Sequence, residues 1–278
     1  MFPIRDAVPL GTGLTRFRVQ APLVARAWRP GQFVIVRLCE GGERIPLTVV
    51  EAFGDGSVTL IVQAVGKTTR HLCSLAAGEA ILDVLGPLGH PTPIERYGRV
   101  ACVAGGVGAA ELLPIARALA GADNSLHTIV GARRADLLIL ERELAGCSAT
   151  LTVATEDGSR GRRGLVTGPL HDLLGTAEGL DAVYAVGPLP MMRAVAEATR
   201  PLGVRTYVSL NPIMLDGTGM CGGCRVTVAG HLRFACVDGP EFDAHEVDFE
   251  ELMRRNRAYT AQERHADERW RAGGAPGA

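Results

Sequence analysis

Three cysteines and one aspartate are clustered in a glycine-rich segment near the carboxyl end of the chain. The segment reads Asp216-Gly-Thr-Gly-Met-Cys221-Gly-Gly-Cys224, and Cys236 follows it. The pattern D-x4-C-x2-C-x11-C keeps the C-x4-C-x2-C spacing of plant-type [2Fe–2S] proteins, with a carboxylate replacing the first thiolate. Glycine lets the backbone wrap closely around a sulfide-bridged pair of irons and direct N–H groups at its sulfurs. We therefore predict that Asp216, Cys221, Cys224 and Cys236 hold a [2Fe–2S] cluster.

Other interpretations of this segment stay open at the level of sequence. Zinc accepts sulfur and oxygen ligands, although zinc ribbons usually carry two C-x2-C pairs and this chain has one. A glycine-rich loop fills a core poorly, which argues against three unrelated buried thiols. A thioredoxin-like dithiol is expected at the start of a helix, whereas this loop lies between strands. Asp216 is also able to cap the loop, with a water or a distant cysteine as the fourth ligand.

Composition excludes several classes of function. Lys and Arg total 29 against 30 Asp and Glu, so no net field attracts nucleic acid or an anionic membrane. We expect no signal peptide and no membrane span, because no apolar run is long enough. The remaining cysteines are scattered singly, which is typical of reduced thiols in a cytoplasmic protein; they are Cys39, Cys73, Cys102 and Cys147. The last dozen residues, ending RAGGAPGA, are predicted to be a disordered tail.

The first hundred residues contain a series of short β-branched runs separated by Gly and Pro turns. The runs are Phe17–Val19, Gln32–Leu38, Leu47–Val50, Ser57–Val62 and Ala80–Val84. This spacing predicts an antiparallel barrel or sandwich. Arg44 and Thr48 alternate along one of the strands, although a lone strand arginine is also typical of a solvated rim.

A strand-to-helix corner follows in Val65-Gly-Lys-Thr-Thr-Arg-His-Leu. Free N–H groups, the helix dipole and Lys67 suit it to a diphosphate, and an ordinary capped surface helix is the alternative. It is not a Walker A loop, because that motif needs a glycine where Ile61 stands.

Beyond residue 97 the pattern changes to alternating strands and helices. Strands are predicted at Arg99–Ala104, His127–Gly131, Ala149–Ala154, Asp181–Val186 and Arg205–Leu210, and helices at Ala109–Ala120, Asp136–Leu144 and Met191–Thr199. Repeated βα units predict a doubly wound parallel sheet with its ligand beyond the carboxyl ends of the strands.

The first turn of this unit carries Gly105, Gly106 and Gly108, which bring backbone amides close to a pyrophosphate. The full G-x-G-x-x-G pattern is missing, because Glu111 takes the third position. Arg133 and Arg134 end the second strand, where they favour a 2′-phosphate or are simply solvated, so NADH and NADPH are not distinguished. Two later loops, Thr155-Glu-Asp-Gly-Ser and Gly187-Pro-Leu-Pro-Met-Met, are candidates for the nicotinamide side; Met191 and Met192 equally suit packing against the sheet.

A barrel, a nicotinamide-type α/β domain and an iron–sulfur loop together resemble the ferredoxin-NADP reductase superfamily. Within it, the chain resembles electron-transfer subunits of the dihydroorotate dehydrogenase and sulfide dehydrogenase type. The segments from Ser209 to Cys224 and from Phe234 to Asp243 look like the small subunit of NADH-dependent reduced ferredoxin:NADP+ oxidoreductase. That family has an aspartate as fourth cluster ligand, whereas the dihydroorotate dehydrogenase subunit has cysteine there.

The resemblance implies an α+β multi-domain fold. It comprises an FAD-binding antiparallel β-barrel at 1–96, a doubly wound NAD(P)-binding domain at 97–208, a small [2Fe–2S] module at 209–255 and a polar tail at 256–278. It also implies FAD, [2Fe–2S] and NAD(H) or NADP(H) as cofactors. Thr48 would lie near the isoalloxazine as the catalytic residue. The implied cofactor-binding residues are Arg44, Pro46, Leu47, Thr48, Val49, Gly66, Lys67, Thr68, Thr69, Gly105, Gly106, Gly108, Asp157, Gly158, Gly187 and Pro188.

The implied activity is electron transfer. Hydride would pass between NAD(P)(H) and FAD, and single electrons between FAD and the cluster. A larger glutamate-synthase-like iron–sulfur flavoprotein is the expected partner in a heterodimer, with ferredoxin reached indirectly. The alternatives are the electron-transfer subunit of dihydroorotate dehydrogenase and, from another class, a redox sensor that binds FAD and a cluster without turnover.

Overall fold

The computed structural model describes residues 1–273, and its first half forms a seven-stranded antiparallel sheet. The strands are β1 (Phe2–Gly11), β2 (Leu14–Gln20), β3 (Phe33–Arg37), β4 (Arg44–Ala52), β5 (Ser57–Gln63), β6 (Ala80–Ile81) and β7 (Asp83–Leu88). Their order is β6-β1-β2-β5-β4-β3-β7. The two edge strands, β6 and β7, are consecutive in the chain, so the sheet curls into a nearly closed barrel. The predicted barrel is confirmed.

Alternate side chains along the strands form the buried interior of the barrel. Phe17 and Val19 of β2 and Val34 and Val36 of β3 are buried in the same barrel core. The alternate residues of β3, Phe33 and Ile35, are buried on the opposite face against the core of the second sheet. Two short helices close the ends of the barrel: α1 (Pro22–Ala27) and α2 (Lys67–Ser74). The run predicted at Ala80–Val84 is in fact two strands, because the chain changes edge at residue 82.

The second sheet has the order β11-β10-β9-β8-β12-β13-β16, and all its pairings are parallel except that of β16. Its strands are β8 (Arg99–Gly105), β9 (Ser125–Ala132), β10 (Thr150–Thr155), β11 (Arg162–Arg163), β12 (Ala182–Val186), β13 (Arg205–Ser209) and β16 (Glu241–Asp243). The order reverses between β8 and β12, so a crevice opens at the carboxyl ends of these two strands. The doubly wound sheet is confirmed.

Helices cover both faces of this sheet and bury separate apolar clusters. They are α3 (Gly108–Gly121), α4 (Glu141–Ala145), α5 (Thr167–Leu174) and α6 (Leu189–Thr199). The helix predicted at Asp136–Leu144 was wrong in its extent. A 3-10 turn at Ala135–Leu137 precedes α4, and Leu140 adopts a left-handed φ of 59° that interrupts the helical path.

A small unit follows β13. It contains the hairpin β14 (Arg225–Val228) and β15 (His231–Phe234), then α7 (Ala235–Asp238) and α8 (Phe249–Asn256). Between α7 and α8, the chain returns to the second sheet as β16, which pairs antiparallel with β13. Buried side chains such as Val226 and Phe249 share one core with α6, so this unit is built onto the α/β sheet.

The carboxyl end differs from the predicted disordered tail. The helix α9 (Thr260–Arg271) lies against α2, where Arg70 Nε donates to Asp267 Oδ1 at 2.7 Å. The charged composition suggested a solvated segment, but the Asp267 side chain is only 14% exposed because Arg70 and Arg271 both pair with it. Residues 274–278 of the predicted tail lie outside the described residues. Within residues 1–273, every helix falls short of the length and apolarity needed to cross a bilayer.

Candidate functional site

A cavity of about 920 Å³ lies between the barrel and the carboxyl ends of β8 and β12. Three parts of the chain line it. The barrel side contributes Pro46, Leu47, Thr48, Val65 and Thr69, and the α/β side contributes Gly105, Gly106, Gly108, Gly187 and Pro188. The segment leading to the cysteine loop contributes Ser209, Leu210, Asn211 and Met214. The structure thus brings together residues that the sequence analysis assigned to a flavin and to a nicotinamide.

The glycine turn after β8 is as tight as its sequence suggests. Gly106 has a φ of +57°, and a Cβ at Gly108 would lie 2.4 Å from the Val186 carbonyl oxygen. A Cβ at Gly105 would lie 2.6 Å from Met191 Sδ. Only glycine permits this close approach of α3 to β12, which leaves the start of α3 open to the cavity.

On the barrel side, successive residues of β4 face alternately the cavity and the barrel core. Thr48 lies opposite Phe33 of β3 and faces the cavity, whereas Val49 is fully buried in the barrel core. Val49 can therefore contact a cofactor only through its backbone. Arg44, at the start of the strand, is exposed and does not line the cavity.

The corner before α2 is only partly turned toward the cavity. The Thr69 hydroxyl accepts hydrogen bonds from the Val65 and Gly66 N–H groups, both at 3.0 Å, so it caps the helix. The Thr68 hydroxyl donates to Glu43 and is buried. Lys67 lies in a separate small depression of about 70 Å³ beside that pair. A diphosphate here would use the end of the corner nearest Thr69.

The two later loops, which begin at Thr155 and Gly187, also contribute only some of their residues to the cavity. Gly187 and Pro188 line the cavity, whereas Asp157 and Gly158 lie outside it. The Asp157 carboxylate accepts hydrogen bonds from the Ser159 N–H at 2.9 Å and its hydroxyl at 2.6 Å, which lowers the Asp157 pKa and holds the turn. Its immediate neighbour Glu156 reaches the cavity instead.

The second-strand arginines also differ. Arg133 lines the cavity, whereas Arg134 donates to both carboxylate oxygens of Asp136, the closer at 2.8 Å. Position along the sequence gave no means to separate the two.

Sequence reasoning missed the residue with the most perturbed environment in this cavity. Glu111, in the first turn of α3, was noted only as a departure from a glycine pattern. Its carboxylate accepts a hydrogen bond from the Ser209 hydroxyl, and it lines the cavity with Thr48. Burial raises the Glu111 pKa to about 7, although the hydroxyls of Ser209 and Thr48 partly offset the effect by hydrogen bonding. An acidic residue at the start of a nucleotide-binding helix was the available signal.

The cysteine loop begins a few residues beyond Ser209. Cys224 and Cys236 are buried and their sulfurs are 3.2 Å apart. Cys221 is exposed, and its backbone N–H donates to Asp216 Oδ2 at 2.7 Å. Asp216 Oδ1 also accepts from the Thr218 N–H at 2.7 Å, and these bonds lower the Asp216 pKa. The carboxylate therefore does cap the loop, as the alternative interpretation held.

The arrangement fits a two-iron cluster better than a single ion. Within residues 1–273, no three His, Cys, Asp or Glu side chains converge as ligands of one metal ion. A [2Fe–2S] cluster instead takes its protein ligands in pairs, two on each iron. The sulfurs of Cys224 and Cys236 are adjacent, as one such pair requires, and the backbone N–H of Cys221 holds the Asp216 carboxylate in the loop of the other two predicted ligands. Positive φ values at Gly217, Gly219 and Gly222 curve the loop around the space they border.

The comparison with known proteins agrees with this geometry. Residues 211–248 match the iron–sulfur cluster binding domain of dihydroorotate dehydrogenase B. A solved structure of NADH-dependent reduced ferredoxin-NADP oxidoreductase, described for flavin-based electron bifurcation, matches with a TM-score of 0.92 and 46% identity. The match covers 97% of this chain and 98% of that chain. The FAD/NAD binding domain of a nitric oxide dioxygenase from Vibrio cholerae matches at TM-score 0.61 and 21% identity, which shows a shared fold.

Fold and site together define an electron-transfer oxidoreductase subunit of the ferredoxin-NADP reductase superfamily, with FAD, NAD(P)(H) and a [2Fe–2S] cluster as cofactors. A Thermotoga maritima relative, a dihydroorotate dehydrogenase B electron transfer subunit homolog, is 50% identical over 91% of this chain and 90% of its own length. The Caldanaerobacter subterraneus electron transfer subunit is 35% identical over 79% of this chain and 87% of its own length. The chain belongs to the family of dihydroorotate dehydrogenase B electron-transfer subunits and their homologues.

Proposed function

We propose that this chain passes electrons between NAD(P)(H), FAD and the [2Fe–2S] cluster, and on to or from a larger glutamate-synthase-like iron–sulfur flavoprotein. The observation that carries the proposal is one shared cavity, which the barrel, the glycine turn and the approach to the cysteine loop all line. FAD supplies a centre that exchanges two electrons as hydride and passes them on singly.

The chain's own residues have distinct tasks in this proposal. Thr48 positions its hydroxyl at the isoalloxazine side of the cavity, and the corner ending at Thr69 binds the flavin diphosphate. Gly105, Gly106 and Gly108 bind the nicotinamide dinucleotide through backbone N–H groups at the start of α3. Gly187 and Pro188 border the nicotinamide. Asp216, Cys221, Cys224 and Cys236 hold the cluster.

One feature favours the ferredoxin:NADP oxidoreductase type over the dihydroorotate dehydrogenase type. The cluster loop carries Asp216 at the position where the resemblance to dihydroorotate dehydrogenase subunits implies a cysteine. Overall identity does not separate the two types, because the solved NADH-dependent reduced ferredoxin-NADP oxidoreductase is 46% identical and the Thermotoga maritima dihydroorotate dehydrogenase B homolog is 50% identical. Exposed apolar side chains around the loop support a partner chain that covers it; they are Leu215, Met220 and Val237.

Anaerobic purification with the partner chain, followed by nicotinamide titration, tests the proposal. We expect this chain to bind one FAD and one [2Fe–2S] cluster in addition to the partner's own cofactors, bleaching of the flavin by NADH or NADPH, and electron transfer that requires ferredoxin. Reduction by dihydroorotate through a copurified catalytic chain would support the second candidate instead. Bound FAD that neither nicotinamide bleaches would indicate a redox sensor, and zinc without inorganic sulfide would exclude the cluster.

A further inference from the structure

Two arginine side chains contact backbone carbonyl groups of the cysteine loop. Arg225 Nη1 donates a hydrogen bond to the Gly222 carbonyl oxygen at 2.8 Å. Arg255 Nη2, from α8, lies 3.5 Å from the next carbonyl oxygen along the chain, that of Gly223. Both carbonyl groups belong to the short segment that joins Cys221 to Cys224, so the two guanidinium groups hold the centre of the C-x2-C motif.

The peptide group between Gly222 and Gly223 is held on both of its sides. Its carbonyl accepts from Arg225, and its N–H donates to Cys221 Sγ at 3.4 Å. The carbonyl and the N–H of a trans peptide point in opposite directions. The contact that draws the carbonyl toward Arg225 therefore turns the N–H toward the sulfur. A Cβ at Gly222, which has a φ of +66°, would lie 2.9 Å from Arg225 Nη1 and displace the guanidinium group from the carbonyl.

Both arginines extend from well-anchored elements. Arg225 is the first residue of β14 and pairs with Phe234 of β15, and the buried side chains of Phe249 and Leu252 fix α8. In the part of the chain from residue 1 to residue 273, no carboxylate lies within ion-pair distance of either guanidinium group. Their positive charges are therefore not cancelled by an ion pair beside the predicted cluster ligands.

An uncancelled positive charge at this place affects the two oxidation states of a [2Fe–2S] cluster unequally. Reduction adds one negative charge, so nearby cations and N–H groups directed at the sulfurs stabilise the reduced state and raise the reduction potential. Arg225 acts in both ways. It brings a positive charge to the loop, and it orients the Gly223 N–H at Cys221 Sγ.

We propose that Arg225, assisted by Arg255, is a positioning residue that raises the reduction potential of the cluster by orienting the peptide group between Gly222 and Gly223. The inference deepens the proposed function and rests on its assignment of the cluster ligands. Arg225 binds no iron in this role. Its effect passes through one peptide group, and a higher potential makes the cluster a better acceptor of single electrons from the flavin.

The Arg225→Gln variant tests the proposal, because glutamine has no charge and is too short to keep the contact. Arg233→Gln is the matched control, since Arg233 carries the same charge at an exposed position of the same hairpin. The readout is the midpoint potential of the cluster in the full chain, from anaerobic titration with chemical reductants followed by paramagnetic resonance. At a fixed potential, the ratio of reduced to oxidised cluster should fall about tenfold in Arg225→Gln, which is about 59 mV for one electron. In Arg233→Gln it should change by less than about twofold.

Two further measurements separate an effect on the potential from general damage to the loop. Iron and inorganic sulfide per chain should match the wild type in Arg225→Gln. The strongest coupling of an exchangeable proton to the reduced cluster, compared in H2O and D2O by electron–nuclear double resonance, should weaken in Arg225→Gln and persist in Arg233→Gln. Arg225→Lys should recover most of the potential, because lysine keeps the charge and a donor.

A second variant keeps the test open if Arg225→Gln holds no cluster. Arg255→Gln then serves instead. The ratio of reduced to oxidised cluster should fall only about two- to threefold in it, because the Arg255 contact is longer.

Each outcome separates this inference from the proposed function. A wild-type potential in Arg225→Gln at full cluster content overturns the role of Arg225, as does an equal shift in Arg233→Gln. A potential in Arg225→Lys as low as that of Arg225→Gln, or an unchanged potential in Arg255→Gln where that variant is used, also overturns it. These results leave the proposed function intact. A wild-type flavin that nicotinamides do not bleach overturns the proposed function, while the chemical titration still decides on Arg225. Zinc without inorganic sulfide in the wild type overturns both.

Discussion

Asp216 has the capping role that the sequence offered as an alternative to iron binding. Both of its carboxylate oxygens accept backbone hydrogen bonds, from Thr218 and Cys221. Each oxygen has a second lone pair, so capping the loop does not prevent the same carboxylate from binding iron. The two interpretations that the sequence presented as alternatives are therefore compatible.

Substitution of Asp216 distinguishes a ligand from a cap. Asp216→Asn keeps one of the two acceptor oxygens of the cap and loses the anionic oxygen donor, so we expect a several-fold loss of iron and inorganic sulfide. Asp216→Cys should keep the cluster and change its potential and its paramagnetic resonance spectrum, because thiolate is a softer donor. Asp238→Asn is the control, since Asp238 caps the neighbouring turn by accepting from the Phe234 N–H at 2.6 Å. Full cluster content in Asp216→Asn would exclude the ligand role.

At the scale of elements, the start of α3 combines close packing with cofactor binding. A Cβ at Gly108 would meet the Val186 carbonyl at 2.4 Å, whereas one at Gly121, at the other end of the helix, would meet nothing within 4 Å. The two glycines of one helix thus provide a comparison between a required and a tolerated position.

We expect Gly108→Ala to push α3 away from β12 and destabilise the fold by about 1–3 kcal/mol. The nicotinamide should bind at least several-fold more weakly, because the helix start no longer presents its N–H groups correctly. Gly121→Ala should leave binding unchanged. Thermal unfolding and nicotinamide titration of the flavin spectrum measure both effects; equal affinities in the two variants would contradict the assigned role of the turn.

The helix α8 depends on a side-chain cap. The Asp248 carboxylate accepts a hydrogen bond from the Glu251 N–H at 2.8 Å, and Phe249 and Leu252 bury the helix against the core. Asp248→Ala should cost about 1 kcal/mol, and Asp248→Asn, which retains an acceptor, much less. Urea unfolding and amide exchange within α8 provide the measurement. Similar losses in both variants would indicate that the negative charge matters more than the cap.

At the scale of the whole molecule, the two carboxyl groups with raised pKa values lie where the two sheets meet. Glu111 and Glu241 titrate at about 7 and about 8 in the folded chain, well above the ordinary value of 4.5. Between pH 4.5 and these folded pKa values, the folded chain binds more protons than the unfolded chain, so its stability falls as the pH rises. This contribution is fully present below pH 4.5 and is lost as the pH passes through the folded values.

We therefore expect the unfolding temperature of the cofactor-free protein to decrease from pH 5 to pH 8, with a slope of at most about 1.4 kcal/mol per pH unit for each group. The double variant Glu111→Gln and Glu241→Gln should flatten the profile, and Glu143→Gln should not. Carboxyl groups with lowered pKa values act in the opposite direction only at more acidic pH; they are Asp55, Asp136, Asp157 and Asp216. Burial also lowers the pKa of His127, which opposes the decrease below neutral pH and reduces the slope there. Stability that rises from pH 5 to pH 8 would be incompatible with a buried pair.

Features that depend on neighbours along the chain were predictable from the residues alone. The cysteine spacing, the glycine turn at Gly105 and the change from β-branched runs to βα units are of this kind, because loop wrapping and strand periodicity are local properties. Contacts over long separations were not predictable. Glu111 meets Ser209 across 98 positions, and Asp267 meets Arg70 across 197. The packing of the sheets decides which distant groups are buried together. Burial raises the pKa of Glu111, and the ion pair between Arg70 and Asp267 holds the charged helix α9 against α2.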